Sequence, residues 1–369
     1  MRWCSIPLTP SHLTLANTLP VGQSFLWHHR DGVYSRAVND PPRVVFVRQT
    51  PTELEYSAVY PDKSAIEADL DSGLTKRWIE DYFQLEHDLP GLYAEWRKRD
   101  PGLFARTELD SRAVGVRVLR QDPWECLIAF ITSTNNHIAR ISSLMHKLTT
   151  NYSPPIMTID DITYHAFPAP HTLPKTLEQP LRDLGFGYRA GFIESTLASL
   201  RERFGTNAGA IEAGLLTWRS APLEEVRENL IELKGVGRKV ADCVMLMCLD
   251  QPSLIPIDTH LTAIAARHPA FPSRLRNKPM SKQIYDEVQG FLVDKWGPMG
   301  GWCQAVMFAA DLKPKKRKAE VEIKLEEVDV VKEIKEELKI EEIVTRPGVK
   351  RTRSAIVAAQ VAKLEIKEE

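Results

Sequence analysis

No stretch of the 369-residue chain is both long enough and free enough of charge to cross a membrane as a helix. The first residues, Met-Arg-Trp-Cys-Ser-Ile-Pro, lack the apolar core of a signal peptide. Cysteine is scarce: five residues, an odd number without paired spacing. That excludes a disulfide scaffold and points to a reducing compartment. An excess of positive charge is missing too. Of 48 Lys+Arg and 49 Asp+Glu, 15 and 13 fall in 313–369, which leaves 33 and 36, a net of −3, for residues 1–312. A body so charged has no general attraction for nucleic acid, so contact with it has to rest on a local basic face.

What is present is apolar material, 43% of residues, ample for a real core. Residues 1–60 read as short strands rich in aromatic and β-branched residues: Gln23 to His29, Val33 to Val38, Arg43 to Arg48 and Glu53 to Tyr60. Arg30-Asp-Gly32 and Asn39-Asp-Pro-Pro42 separate them as turns, which implies an antiparallel sheet. From about Lys76 the period becomes helical, with Trp78, Tyr82 and Phe83 on one face and a further helix from Leu92 to Trp96. Asp122-Pro-Trp-Glu125 is a strong helix start: an N-cap, a proline at the first position, a glutamate three residues after the cap. That helix ends in a polar cluster, Thr132 to His137. Gly185 and Gly187 close another helix, Tyr188-Arg189 open the next, and Ser281 to Trp296 form one more. Gln304 and Phe308, four apart, share a face that on spacing alone reads as core.

The most informative stretch is Leu233-Lys-Gly-Val-Gly-Arg-Lys-Val-Ala-Asp-Cys243, with Pro256-Ile-Asp-Thr-His260 downstream. Gly235 and Gly237, separated only by Val236, allow a tight turn and bring backbone N–H groups close to an anion. The uninterrupted, mostly apolar run from Lys239 to Leu249 predicts a buried helix with Lys239 in its first turn. Asp258 has the position of an N-cap for the following helix. Taken singly, a Gly-x-Gly turn is common and a first-turn lysine is usually a solvated surface residue. Together they present a lysine and an aspartate from neighbouring helix starts, beside a loop suited to phosphate.

The hairpin, Lys239 and Asp258 resemble the helix-hairpin-helix of base-excision DNA glycosylases, in the subset that cleaves through a Schiff base. Pro20-Val-Gly-Gln-Ser-Phe25, Tyr82-Phe-Gln-Leu-Glu-His-Asp-Leu89 and the run from Gly115 to Ile141 are similar, in the same order, to the eukaryotic 8-oxoguanine DNA glycosylases/AP lyases. The likeness runs from Trp3 to Leu312. It implies an α+β fold: an antiparallel sheet domain with flanking helices (1–114) packed on a mainly α-helical helix-hairpin-helix glycosylase domain (115–312).

The activity so implied is excision of 8-oxoguanine opposite cytosine from duplex DNA, with β-elimination at the resulting site. Lys239 is then the nucleophile and Asp258 the carboxylate that stabilises the developing positive charge. Cys243 and Phe308 sandwich the flipped purine, Met247 lines the same pocket and Gln304 reads the Watson–Crick edge. The Gly22 carbonyl accepts the N7 proton that guanine lacks. Asn135 fills the vacated space in the duplex. Arg140 and Arg189 hydrogen-bond the orphaned cytosine, with Tyr188 wedged beside it. N–H groups at Gly235, Gly237 and Val240 hold a backbone phosphate, and His260 holds another. Two departures stand out. His137 replaces a common asparagine, and Gly191 stands where many relatives have a basic residue.

No redox cofactor is required, although a cation shared between hairpin and phosphate fits the resemblance. Only Cys303 follows Cys248, so the four-cysteine iron–sulfur cluster of endonuclease III and adenine glycosylases cannot form there. Alkyl-base glycosylases keep the aspartate but lack the lysine. A non-enzymatic hairpin module that only binds DNA is disfavoured by the pairing of Lys239 with Asp258. Expected partners are damaged double-stranded DNA and later-acting base-excision repair proteins, with no membrane and a monomeric state. After Leu312, Lys313-Pro-Lys-Lys-Arg-Lys318 has the form of a nuclear-import signal, so a nuclear location is expected and a mitochondrial pool is left open. The charged remainder, 319–369, has no aromatic residue and reads as disordered. Lysines 324, 335, 339 and 367 there each match a sumoylation-like pattern.

Overall fold

The computed structural model describes residues 2–311 apart from 63, 108, 110 and 111. The charged tail, its basic cluster and its lysine patterns lie outside the described residues. Five strands, β1 (Cys4–Pro7), β2 (His28–Arg30), β3 (Val33–Val38), β4 (Arg43–Gln49) and β5 (Glu53–Val59), form an antiparallel sheet in the order β1-β5-β4-β3-β2. The run Val44 to Val47 is apolar without alternation because both faces of the sheet are covered. Val45 and Val47 face one way, onto Leu13, Leu15, Leu19, Ile79 and Phe83. Val44 and Phe46 face the other way, toward Tyr164 and Ala166.

One expected strand is mostly not a strand. Pairing begins only at His28, and residues 23–27 lie outside any strand. The reason is Gln23. Its Nε2 donates to the Arg117 carbonyl (2.8 Å) and its Oε1 accepts from Leu119 N–H (3.1 Å), while its own carbonyl accepts from Gln121 Nε2 (3.0 Å). These bonds satisfy a buried amide against a remote segment and draw the chain away from the sheet. Phe25 and Leu26 then join the helical core.

Helices supply the rest. Short α1 (Leu15–Thr18) lies between β1 and β2; α2 (Ser64–Ser72), α3 (Leu74–Tyr82) and α4 (Leu89–Arg99) follow the sheet. Next come α5 (Pro123–Ser133), α6 (Ile138–Tyr152), an unanticipated hairpin of β6 (Pro155–Ile159) and β7 (Ile162–His165), then α7 (Glu178–Asp183), α8 (Arg189–Phe204), α9 (Ala210–Thr217) and α10 (Leu223–Ile231). The last four are α11 (Arg238–Cys248), α12 (Thr259–Ala265), α13 (Lys282–Trp296) and α14 (Gly300–Asp311). The fold is thus α+β. The cap of α5 forms as its sequence dictates: Asp122 Oδ1 accepts from Glu125 N–H at 2.8 Å, with Pro123 at the first helical position. Helix α11 is central. It packs on α5 and α10, and its residues 240–248 are all buried. None of the described helices is long and apolar enough to cross a membrane.

Candidate active site

The turn between α10 and α11 contains two glycines that differ in kind. Gly235 has φ +89°, and a Cβ there would lie 2.5 Å from the Phe192 ring, so a side chain is excluded twice over. Gly237 has φ −88° and open space around it. Nothing inside the protein demands glycine at 237; close approach of something from outside would. Gly237 is also the N-cap of α11, and no side chain caps that helix. The first-turn N–H groups, Val240 among them, are therefore left for an external acceptor, at the positive end of the helix dipole.

Lys239 is half-buried, with Nζ 5.3 Å above the Phe130 ring. Asp258 caps α12 as its position predicts, Oδ1 accepting from Leu261 N–H at 2.8 Å. Its other oxygen has no hydrogen-bond partner among the described residues. Lys239 and Asp258 both line a narrow recess with Gly22, Cys243, Met247, Gln304 and Phe308. All seven residues expected in the pocket or the catalytic pair thus come together, although they span positions 22 to 308. Gly22 adopts φ +87° with Ile138 packed against it. Burial pushes the Cys243 thiol up, while the neighbouring Lys239 pulls it the other way. The Phe308 ring meets the His260 ring edge-on at 5.3 Å.

The recess also contains Val21, Gln23, Phe130, Pro256 and Ala305, which sequence reasoning did not single out. Phe130 lies in a helix buried on every side, so periodicity carries no signal for it.

Lys239 and Asp258 also line a much larger groove of about 760 Å³, with Asn135, Gly235, Gly237 and Val240. The pair stands where the narrow recess meets the open groove. Asn135 is exposed at the α5–α6 turn with φ +47°. Arg189 is buried: its Nε donates to the Thr134 carbonyl and its Nη2 to the Asn135 carbonyl, each at 2.8 Å. Tyr188 is 45% exposed, with the Arg189 guanidinium 4.6 Å from its ring centre. Exposed Arg140 donates to the Gly185 carbonyl (3.2 Å). These four groups cluster, but in this state the two arginines are engaged with main-chain carbonyls.

His260 lies apart from the groove lining, its Nδ1 3.4 Å from Asp311. His137 caps α6, its Nδ1 accepting from Arg140 N–H (3.3 Å). A Cβ at Gly191 would come 3.0 Å from Glu178 Oε2, and Glu178 is already paired with Arg182 (2.6 Å).

An uncapped hairpin helix that brings a lysine and an N-capping aspartate into the lining of one narrow recess is the arrangement of a class: the helix-hairpin-helix DNA glycosylases of lyase type. Comparison narrows the class. The family model described as 8-oxoguanine DNA glycosylase, N-terminal domain, matches residues 5–127. The N-glycosylase/DNA lyase OGG1 of Arabidopsis thaliana is 35% identical over 317 residues, 85% of this chain and 82% of that protein. The N-glycosylase/DNA lyase of Saccharomyces cerevisiae is 34% identical over 84% of this chain and 86% of its own length. Among solved structures, the Clostridium acetobutylicum 8-oxoguanine glycosylase/lyase, in complex with double-stranded DNA containing cytosine opposite 8-oxoG, superposes with a TM-score of 0.64. It shares 26% identity, with 81% of this chain and 91% of that chain covered. The chain belongs to the OGG1 family of N-glycosylase/DNA lyases, bifunctional enzymes of base-excision repair.

Proposed function

We propose that this enzyme removes 8-oxoguanine paired with cytosine from duplex DNA through a covalent lysine–sugar intermediate, and then nicks the strand. The observation that carries the reading is the position of Lys239 and Asp258 on the boundary between recess and groove. A base inside a duplex is out of reach, so the nucleotide is flipped, at a cost of a few kcal/mol. The duplex lies in the groove, its phosphate on the N–H groups at Gly235, Gly237 and Val240, with His260 on a second phosphate. The base enters the recess, the sugar stays at the boundary, and C1′ lies between the amine and the carboxylate.

Neutral Lys239 attacks C1′ as the C1′–N9 bond breaks and its electron pair leaves with the base, which takes up a proton. The Asp258 oxygen left free by the helix cap faces the positive charge that develops on the sugar. The imine formed after ring opening acidifies the C2′ proton; its loss expels the 3′ phosphate. Cys243 and Phe308 hold the purine, Met247 closes the pocket and Gln304 bonds the Watson–Crick edge. The Gly22 carbonyl accepts N7–H of the lesion and would face a lone pair on guanine. Asn135 occupies the gap in the duplex, Tyr188 wedges beside it, and Arg140 and Arg189 turn their donors to the orphaned cytosine.

The chemistry calls for no redox cofactor. Among the described residues no group of three or more His, Cys, Asp or Glu side chains is arranged to hold a metal, so a hairpin cation would rest on main-chain carbonyls. The basic cluster at 313–318 takes the enzyme to the nucleus, where it acts as a monomer and passes the nicked product to later repair enzymes.

The test is borohydride trapping on duplex with 8-oxoguanine opposite cytosine, with undamaged duplex and Lys239→Gln as controls. A covalent protein–DNA band is expected only for wild type with lesion. Its absence, with folded protein that binds the lesion tightly, rules out the imine route.

A further inference from the structure

Asp242 is fully buried, three residues after Lys239 on α11, and the chemistry above makes no use of it. Burying a carboxylate costs several kcal/mol unless its lone pairs are satisfied. Here they are. Oδ1 accepts from Arg227 Nε (3.2 Å), and Oδ2 accepts from Tyr285 Oη (2.8 Å) and Gln289 Nε2 (2.7 Å). The Arg238 guanidinium stands 3.6 Å from the same oxygen.

Two of these partners pass the contact on. Tyr285 Oη accepts the Ile257 N–H at 3.0 Å, and Gln289 Nε2 also donates to the Ile255 carbonyl at 2.9 Å. Residues 255–257 are the segment that delivers Asp258. An unbroken path of short hydrogen bonds therefore joins the helix bearing Lys239, through α13, to the backbone immediately before Asp258. A salt bridge that served burial alone would have no need to grip that segment at two points. Apolar side chains of equal volume fill such a space as well or better.

We propose that Asp242, Tyr285 and Gln289 are positioning residues that set the Asp258 carboxylate against the Lys239 amine. The proposal rests on these two being the reacting pair. Displacement by about 1 Å at a reacting centre costs on the order of a hundredfold in rate. Tyr285 lines the groove, but its hydroxyl points inward to Asp242 and Ile257, so removing that oxygen leaves the DNA-facing surface in place.

The experiment uses full-length wild type, Tyr285→Phe, Gln289→Leu and Lys239→Gln. It measures single-turnover excision from an 8-oxoguanine:cytosine duplex, and affinity for the same duplex with a tetrahydrofuran site in place of the lesion. Both clamp variants are expected to lose roughly ten- to hundredfold in excision rate while affinity stays within about threefold. If wild type is no faster than Lys239→Gln, the catalytic reading fails and this proposal with it. If wild type is active and the folded clamp variants stay within twofold of it, the proposal alone fails. Equal losses in rate and affinity, or loss of folding in both variants, would make the network merely structural. Should only Tyr285→Phe fail to fold, Gln289→Leu decides.

Discussion

The recess and the groove share a lysine and an aspartate but are built on opposite plans. In the recess every expected group is already in place, packed among buried neighbours. Asn135, which lines the groove, and Arg140 beyond its lining are exposed, Tyr188 is nearly half exposed, and Arg189 has its donors on the carbonyls of Thr134 and Asn135. For the proposed chemistry the recess would be preorganised, where reorganisation would raise the barrier. If the groove takes DNA as proposed, the two arginines must exchange these internal hydrogen bonds for contacts to it, which would link recognition to movement at the α5–α6 turn.

The sharpest way to break this comparison is Lys239→Gln. Excision should fall by roughly a thousandfold or more, in line with removal of a covalent nucleophile, with melting temperature and lesion affinity nearly unchanged. Residual excision within tenfold of wild type would show that another group attacks C1′. On the groove side, Arg189→Ala should lower the preference for cytosine over other opposite bases by about 10–100-fold, the value of a bidentate base contact of ~1–3 kcal/mol. Excision rates measured opposite all four bases decide it; an unaltered preference means Arg189 only ties the turn together.

The two hairpin glycines divide the same way. Gly235→Ala should destabilise the fold by about 1–3 kcal/mol through strain at φ +89° and collision with Phe192. Gly237→Ala should leave stability alone and weaken DNA binding several-fold across sequences, because its new methyl points into open space at the phosphate site. Denaturant melts and salt titrations separate them, and a reversed pattern would refute the assignment. The smallest effect belongs to His137→Asn. Asparagine caps a helix as well, so stability should hold within ~0.5 kcal/mol, with lesion affinity changed less than threefold. A larger shift would make His137 a contact in its own right.

Local rules carried far in the sequence. The caps at Asp122 and Asp258 and the helix from Lys239 depend on neighbours within four positions, and all appear where spacing puts them. What escaped depends on distance. Residues 23–27 have strand-like composition, but the partners that override it lie more than ninety residues away at 117–121. The β6–β7 hairpin turns on Asp160 and Asp161, both at positive φ, a tight turn signalled by no glycine. Gln304 and Phe308 looked like core because a recess wall and a core share one periodicity. Only the family resemblance marked them as functional.

The position of the pocket along the chain bears on synthesis. Its first wall, Val21 and Gly22, and its last, Phe308, enclose nearly the whole described chain. At a translation pace of about 5–20 residues per second, they emerge roughly 15–60 s apart. Lys239 and Asp258 are out earlier. A product that stops between 258 and 304 would carry the proposed reacting pair but neither Gln304 nor Phe308, the walls proposed to hold the base. In the proposed reading, the carbonyl that tells the lesion from guanine is made first, and the wall against which it holds the base is made last.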